Sequence, residues 1–212
     1  MKKPHKDAIR NKLKHCPSER KFCDWLKHYI RTANLNFITT IIFVLHRCAD
    51  SDDLKMCENI VRMIRSEEMC QRAVNTPEGS HEYTPLCRAA YRGSQRMLKM
   101  LVSKGADVTY TNSHGENLVT TLETGRGDSV LRHPGNEIFI HDRFDQCLAY
   151  VKDRQRYVRL SKEREEKRER EKNTFVPFRP RRVIRAIVKL QRWWRRRRRE
   201  QSKVVTKNIY KK

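Results

Sequence analysis

No part of this 212-residue chain is apolar for long. The longest apolar run, residues 37–45, ends at His46-Arg47. That is far short of the roughly 20 residues needed to cross a bilayer, so it reads as a buried core helix and no transmembrane segment is expected. A secretory leader is not expected either, because residues 1–20 are polar and basic without an apolar run. Acidic residues are scarce beside basic ones: 25 Asp+Glu against 48 Lys+Arg give a formal net charge of +23. Such an imbalance says nothing about fold, but it calls for acidic partners: nucleic acid, an anionic membrane surface or an acidic protein. The seven cysteines (Cys16, Cys23, Cys48, Cys57, Cys70, Cys87 and Cys147) include no CxxC pair. Their odd number and irregular spacing suggest neither a disulfide framework nor a four-ligand zinc site. Reduced, buried thiols in a cytoplasmic or nuclear protein are expected instead.

Catalytic signatures are also missing. There is no Gly-rich phosphate loop, no G-x-S-x-G elbow and no H-E-x-x-H. His15, Cys16, Cys23 and His28 lie close in sequence, but no zinc-module spacing fits them, and helical packing explains Cys23 better. His141-Asp142 has the types of a base and its orienter, yet it falls in an expected loop with no nucleophile beside it. Neither an enzyme nor a cofactor or metal site is expected.

What the chain does contain is helical periodicity. Its length suits one domain of about 100–150 residues with tails. Residues 1–20 read as a basic, flexible N-terminus with Pro4 and Pro17 interrupting any helix, and residues 21–158 hold almost all the aliphatic patterning. Phe22, Trp25, Leu26, Tyr29 and Ile30 recur at spacings of three and four, as do Leu54, Cys57, Ile60, Val61 and Ile64, and later Met97, Leu98, Leu101 and Val102. Sustained period-two alternation is absent, so the folded part is expected to be all-α.

Within that region, Thr84-Pro85-Leu86-Cys87-Arg88-Ala89-Ala90-Tyr91-Arg92-Gly93 opens a unit that closes on Lys104-Gly105-Ala106-Asp107-Val108. This resembles the ankyrin repeat, whose pattern runs T-P-L-H-x-A-A-x-x-G, then a second helix, then G-A-D-V-N. Thr84 suits a helix cap and Pro85 a first helical position. Leu86, Ala89 and Ala90 suit an inward face, and Gly93 and Gly105 suit helix ends. Cys87 stands where the family has His. Asn112-Ser113-His114-Gly115 resembles the family's N-x-x-G turn, and Asn117-Leu118-Val119 falls 33 residues after Thr84-Pro85-Leu86, the family period.

The second unit departs from the pattern, with Leu122-Glu123 for the alanines, Gly125 one residue early, and residues 126–136 expected to interrupt before a helix resumes at 144–151. Upstream, 37–48 and 54–65 read as the two helices of an earlier repeat, and 22–31 as part of a still earlier one. One repeat cannot bury its own apolar face. The resemblance therefore implies a short ankyrin-type array of about two to three repeats over 21–158, worn at its ends, binding a protein through exposed turns such as His81-Glu82-Tyr83 and 110–114.

Residues 159–172 alternate Lys or Arg with Glu and carry no apolar seam, which suggests a solvated helical spacer. Residues 173–212 form a basic tail: from 176 onward there are fifteen Lys or Arg and one acidic residue, a net +14. Val183, Ile187, Leu190 and Trp194 follow spacings of four, three and four, an apolar stripe on a basic helix. Leu190-Gln191 and Arg195 resemble the IQ motif, I-Q-x-x-x-R-G-x-x-x-R, although Arg196 replaces its glycine and Glu200 its last Arg. That resemblance implies calmodulin or a related EF-hand protein as a partner. The same residues also fit a nuclear localisation signal, phosphate contacts with nucleic acid, or an anionic membrane. The sequence thus points to a non-catalytic, cytoplasmic or nuclear adaptor, with a nucleic-acid-associated protein as the alternative.

Overall fold

Polar residues set where the helices begin. Ser18, Asn36, Asp53, Ser66, Thr84, Ser94 and Asn117 each precede an apolar-periodic stretch, and each side chain accepts a backbone N–H from the first turn. Such caps contribute about 1 kcal/mol apiece. In the computed structural model, which describes residues 2–16, 18–174, 185 and 187–198, they open a succession of helices. These are α1 (Lys3–His15), α2 (Glu19–Thr32), α3 (Phe37–Ser51), α4 (Leu54–Arg62), α5 (Glu67–Asn75), α6 (Pro85–Tyr91), α7 (Gln95–Ser103), α8 (Leu118–Arg132) and α9 (Glu137–Thr174). The fold is all-α; among the described residues, β-type pairing is confined to two isolated bridges, Glu78–Tyr83 and Thr111–Asn117.

Packing divides the chain into two units, residues 1–159 and 160–212. In the first, α6 lies between α3 and α8, while its hairpin partner α7 also meets α4. The early part of α9 covers α7: Gln95 Nε2 donates to the Gln146 carbonyl at 3.3 Å, and the Lys99 ammonium sits 5.8 Å from the Tyr150 ring. At the other end, α2 packs on α4, and α1 on α2 and α3. The core runs through all of these, with Phe22, Leu26, Ile41, Leu45, Ile60, Leu86, Leu98, Leu101 and Val151 fully or almost fully buried. Each such side chain contributes roughly 1.5–3 kcal/mol relative to exposure. In the second unit, residues 160–174 finish α9 as a charged helix with Arg170–Glu166 at 3.6 Å and Lys172–Glu169 at 3.5 Å, and residues 187–198 are helical.

Several expectations change. The N-terminus is not frayed over its length, for residues 3–15 form α1 and Ile9 is fully buried. Pro4 sits in the first turn, where the missing N–H has no intrahelical acceptor to lose. Helix α3 runs past the expected end at 48 to Ser51 and turns at Asp52 with φ +56°, so only Asp52 and Asp53 separate it from α4. Residues 126–132 do not interrupt a helix. They complete α8, and only 133–136 separate it from α9. His141 and Asp142 consequently lie on a helix, both exposed.

Candidate interaction surface

The segments before α6 and α8 make two short fingers. In the first, Glu78 N–H donates to the Tyr83 carbonyl (3.0 Å) and Glu82 N–H to the Gly79 carbonyl (3.1 Å). In the second, Asn112 N–H donates to the Glu116 carbonyl (3.0 Å), and Gly115, at φ +79°, makes the left-handed turn that a side chain would strain. The fingers are tied to each other side by side. Asn112 Nδ2 donates to the His81 carbonyl at 2.7 Å, His114 Nε2 to the Ser80 carbonyl at 3.1 Å, and the Tyr110 hydroxyl to the Glu82 carbonyl at 2.9 Å. Glu82 Oε2 accepts from Ser113 N–H at 3.1 Å, and Ser113, first through its side-chain hydroxyl and then through this backbone bond, holds the Glu82 carboxyl below the usual value. Asn112 is buried, and its Oδ1 also accepts from the N–H groups of His114 (3.1 Å) and Glu116 (2.8 Å). The result is a ridge with a fixed backbone that presents His81, Glu82, Ser113 and His114 to solvent, the His81 ring stacked 5.4 Å from Tyr83.

The helices behind the ridge hold it in place. Thr84 is buried; its Oγ1 accepts the Cys87 N–H and donates to Cys87 Sγ, both at 3.3 Å, so the sulfur at this position keeps a local role. Pro85 occupies the first turn of α6, and Leu86, Ala89 and Ala90 are buried. Gly93 turns the chain at φ +66°, and a Cβ there would meet the Phe144 ring. After α7, Asn75 brackets the loop: its Nδ2 donates to the Gly105 carbonyl and its Oδ1 accepts the Asp107 N–H, both at 2.8 Å. Ala106 is buried, and Asp107 accepts from Thr109 N–H (2.8 Å) and hydroxyl (2.7 Å).

Below the first finger lies a network with no sequence signature. Arg88 Nε donates to His46 Nδ1 at 2.9 Å, its Nη1 to both Asp50 oxygens at 2.9 Å, and its Nη2 to the Glu78 carbonyl at 3.1 Å. Because His46 Nδ1 accepts, its Nε2 carries the proton and donates to the Thr76 carbonyl at 3.0 Å. Burial, then the Arg88 charge, pushes the His46 imidazole down to about 4. Burial works against the Glu78 carboxylate, but the Lys6 ammonium, 2.8 Å away, holds its carboxyl below the usual value. His46 and Arg88 lie 42 residues apart, and only the fold brings them together.

The tail residues stand apart from this surface in the chain. Ile187, Leu190, Gln191, Trp194 and Arg195 lie on helix 187–198, all exposed, while Val183 lies outside the described residues. Leu190 and Trp194 are 64% and 56% exposed. The Arg197 guanidinium lies 5.0 Å from the Trp193 ring and that of Arg198 4.7 Å from Trp194.

Burial pushes the Cys57 thiol up to about 12 and Cys147 to about 11, and raises Cys23, Cys48, Cys70 and Cys87 as well. Among the described residues, no group of three or more His, Cys, Asp or Glu side chains is arranged to hold a metal ion, and no helix is long and apolar enough to cross a membrane. No curated protein and no solved structure matches the chain. Residues 81–113 match the family model for the ankyrin repeat; the matched segment runs from the first finger through α6 and α7 to the second finger.

Proposed function

We propose that this chain is a non-catalytic adaptor with two binding elements. The finger ridge would hold one protein partner, and the basic helix around Leu190 and Trp194 would dock calmodulin or a related EF-hand protein. The charged stretch 159–172 joins them as a spacer. The observation that carries this reading is the pinned ridge: four hydrogen bonds tie the two fingers together and leave His81, Glu82, Ser113 and His114 exposed on a fixed backbone. A preordered surface loses little conformational freedom on binding, which favours affinity. The tail reading is supported by Ile187, Leu190 and Trp194 lying exposed on one helical stripe beside arginines. An EF-hand protein's Met-rich groove and acidic rim would complement both features.

Titrating the full chain with calmodulin, with and without calcium, tests the tail. Binding should fall sharply in a Leu190→Asp, Trp194→Asp double variant. Equal binding by wild type and variant, or none in either condition, removes this half. The rival use of the tail, phosphate contact with nucleic acid, is read in parallel by salt titration with short oligo(dT). Affinity that falls steeply with salt and ignores Leu190 and Trp194 would favour that rival. For the ridge, photo-cross-linking from position 82 should join one discrete protein, and Asn112→Ala should abolish the product.

A further inference from the structure

At the ends of α3, α6 and α8 remote from the fingers, three inter-helix connections border an open cleft of about 820 Å³. Its lining is mixed in charge. Asp50, already engaged by Arg88 at 2.9 Å and Arg47 at 3.1 Å, and Asp52 contribute acidic groups. Arg92, Arg132, His133 and Arg143 contribute the basic ones. Arg132 is held by Asp128 at 3.6 Å and donates to the Tyr91 hydroxyl at 3.1 Å. Among the described residues, Arg92 and Arg143 form no ion pair. The Arg143 guanidinium lies 5.3 Å from the Phe144 ring, and its Nε is buried without an acceptor. Arg92 and Arg143 thus keep guanidinium N–H groups with no carboxylate partner, which a ligand's carboxylate can pair with. Beside these cations, Phe139 is 70% exposed, and Ile140 forms an apolar floor.

We infer that this cleft binds an acidic, extended peptide segment of a partner protein. Carboxylates of the segment pair with Arg92 and Arg143, where charge-assisted, two-pronged hydrogen bonds are available, and a neighbouring apolar side chain rests on Phe139. A polyanion fits less well, because Asp50 and Asp52 also line the cleft and would repel a continuous phosphate backbone. The cleft is separate from the finger ridge: the fingers precede α6 and α8 in the chain, whereas Arg92 and Arg132–His133 stand at those helices' far ends. It therefore holds whether or not the ridge binds a protein.

The test uses the full chain and a fluorescein-labelled peptide of alternating Glu and Leu carrying one benzophenone, beside its Gln-for-Glu counterpart. Since the +14 tail attracts any anion, the position of the cross-link decides. Cross-links should fall at 91–92 and 129–143, with the Gln peptide binding far less. Arg92→Gln combined with Arg143→Gln should weaken binding about tenfold. Phe139→Ser, at an exposed position that cannot unfold the core, should weaken it too, with unchanged thermal melting. Should Arg143→Gln lower the melting temperature, Arg92→Gln and Phe139→Ser alone decide. Cross-links confined to 185–198, equal affinity for the Gln peptide, unchanged affinity in Arg92→Gln and Phe139→Ser, or oligo(dT) displacing the cross-link from 129–143 would each overturn the inference.

Discussion

Acidification should loosen the repeat unit at His46. The ring is fully buried, accepts from Arg88 Nε at Nδ1 and donates to the Thr76 carbonyl through Nε2. A second ring proton would set N–H against N–H at Arg88 and place two cations in contact. Burial and then Arg88 thus lower its ionisation from 6.5 in the unfolded chain to about 4 when folded. Between those values the unfolded chain holds more protons, so the stabilisation is complete above 6.5 and drains away as pH falls toward 4. At about 1.4 kcal/mol for each pH unit, the full loss is roughly 3 kcal/mol, a large part of the ~5–15 kcal/mol that holds a typical domain folded. Urea unfolding followed by far-ultraviolet circular dichroism reads it: the midpoint should drop steadily from neutral pH to about 5. His46→Gln is the control, since an amide can donate to Thr76 and accept from Arg88 without titrating. Its midpoint should be flat over the same range. Glu78 does not blur the window: its lowered carboxyl contributes stability that is lost only below its unfolded value of 4.5. A flat wild-type midpoint, or the same slope in His46→Gln, would refute the assignment of a neutral, hydrogen-bonded imidazole.

Other expectations follow from close packing and from the fingers. Gly125→Ala adds a Cβ against the Tyr91 carbonyl where α8 crosses α6, and overpacking of about 1–3 kcal/mol should outweigh the ~1 kcal/mol gain in helix propensity, lowering the melting temperature. Gly127→Ala, on the same helix with open space around it, should raise that temperature. Asn112→Ala removes the side chain that ties the fingers and should cost about 2 kcal/mol, with faster amide exchange at His114 and Glu116. Thr84→Ala should cost about 1 kcal/mol in the urea midpoint through loss of the α6 cap.

The parts that could be read from sequence were those whose cause is local. Thr84-Pro85 announces a cap and a first turn because both act within four residues, and the 33-residue echo at Asn117-Leu118 was legible because a repeat reuses one local solution. The caps of α3, α4, α5 and α7 obey the same rule, yet α5 is not legible in the sequence because nine residues with three buried positions give too short a periodic signal. The N-terminal helix is hidden in the sequence for a related reason. Pro4 looks like a helix breaker unless its position within the first turn is known, and the burial of Ile9 depends on α2 and α3 being present to cover it.

Gly125 shows why the remainder was not legible. Set against the repeat pattern, a glycine near the expected end of a first helix suggests termination, since a left-handed turn requires a residue without Cβ. In the structure its φ is not positive and the helix runs on for seven more residues; the missing Cβ instead lets the α8 backbone approach Tyr91. Both uses place the same demand on residue type, so residue type cannot separate them; only the neighbour does, and the neighbour is 34 positions away. Arg88 is the polar counterpart. As a single residue it is an ordinary exposed position on a short helix, but with His46, Asp50 and the Glu78 carbonyl around it, it becomes a half-buried cation that fixes a tautomer and anchors a finger. Where function depends on such pairings across repeats, an array with worn neighbours hides its binding chemistry: the pattern that would locate the partners is the one that has drifted, and only packing restores it.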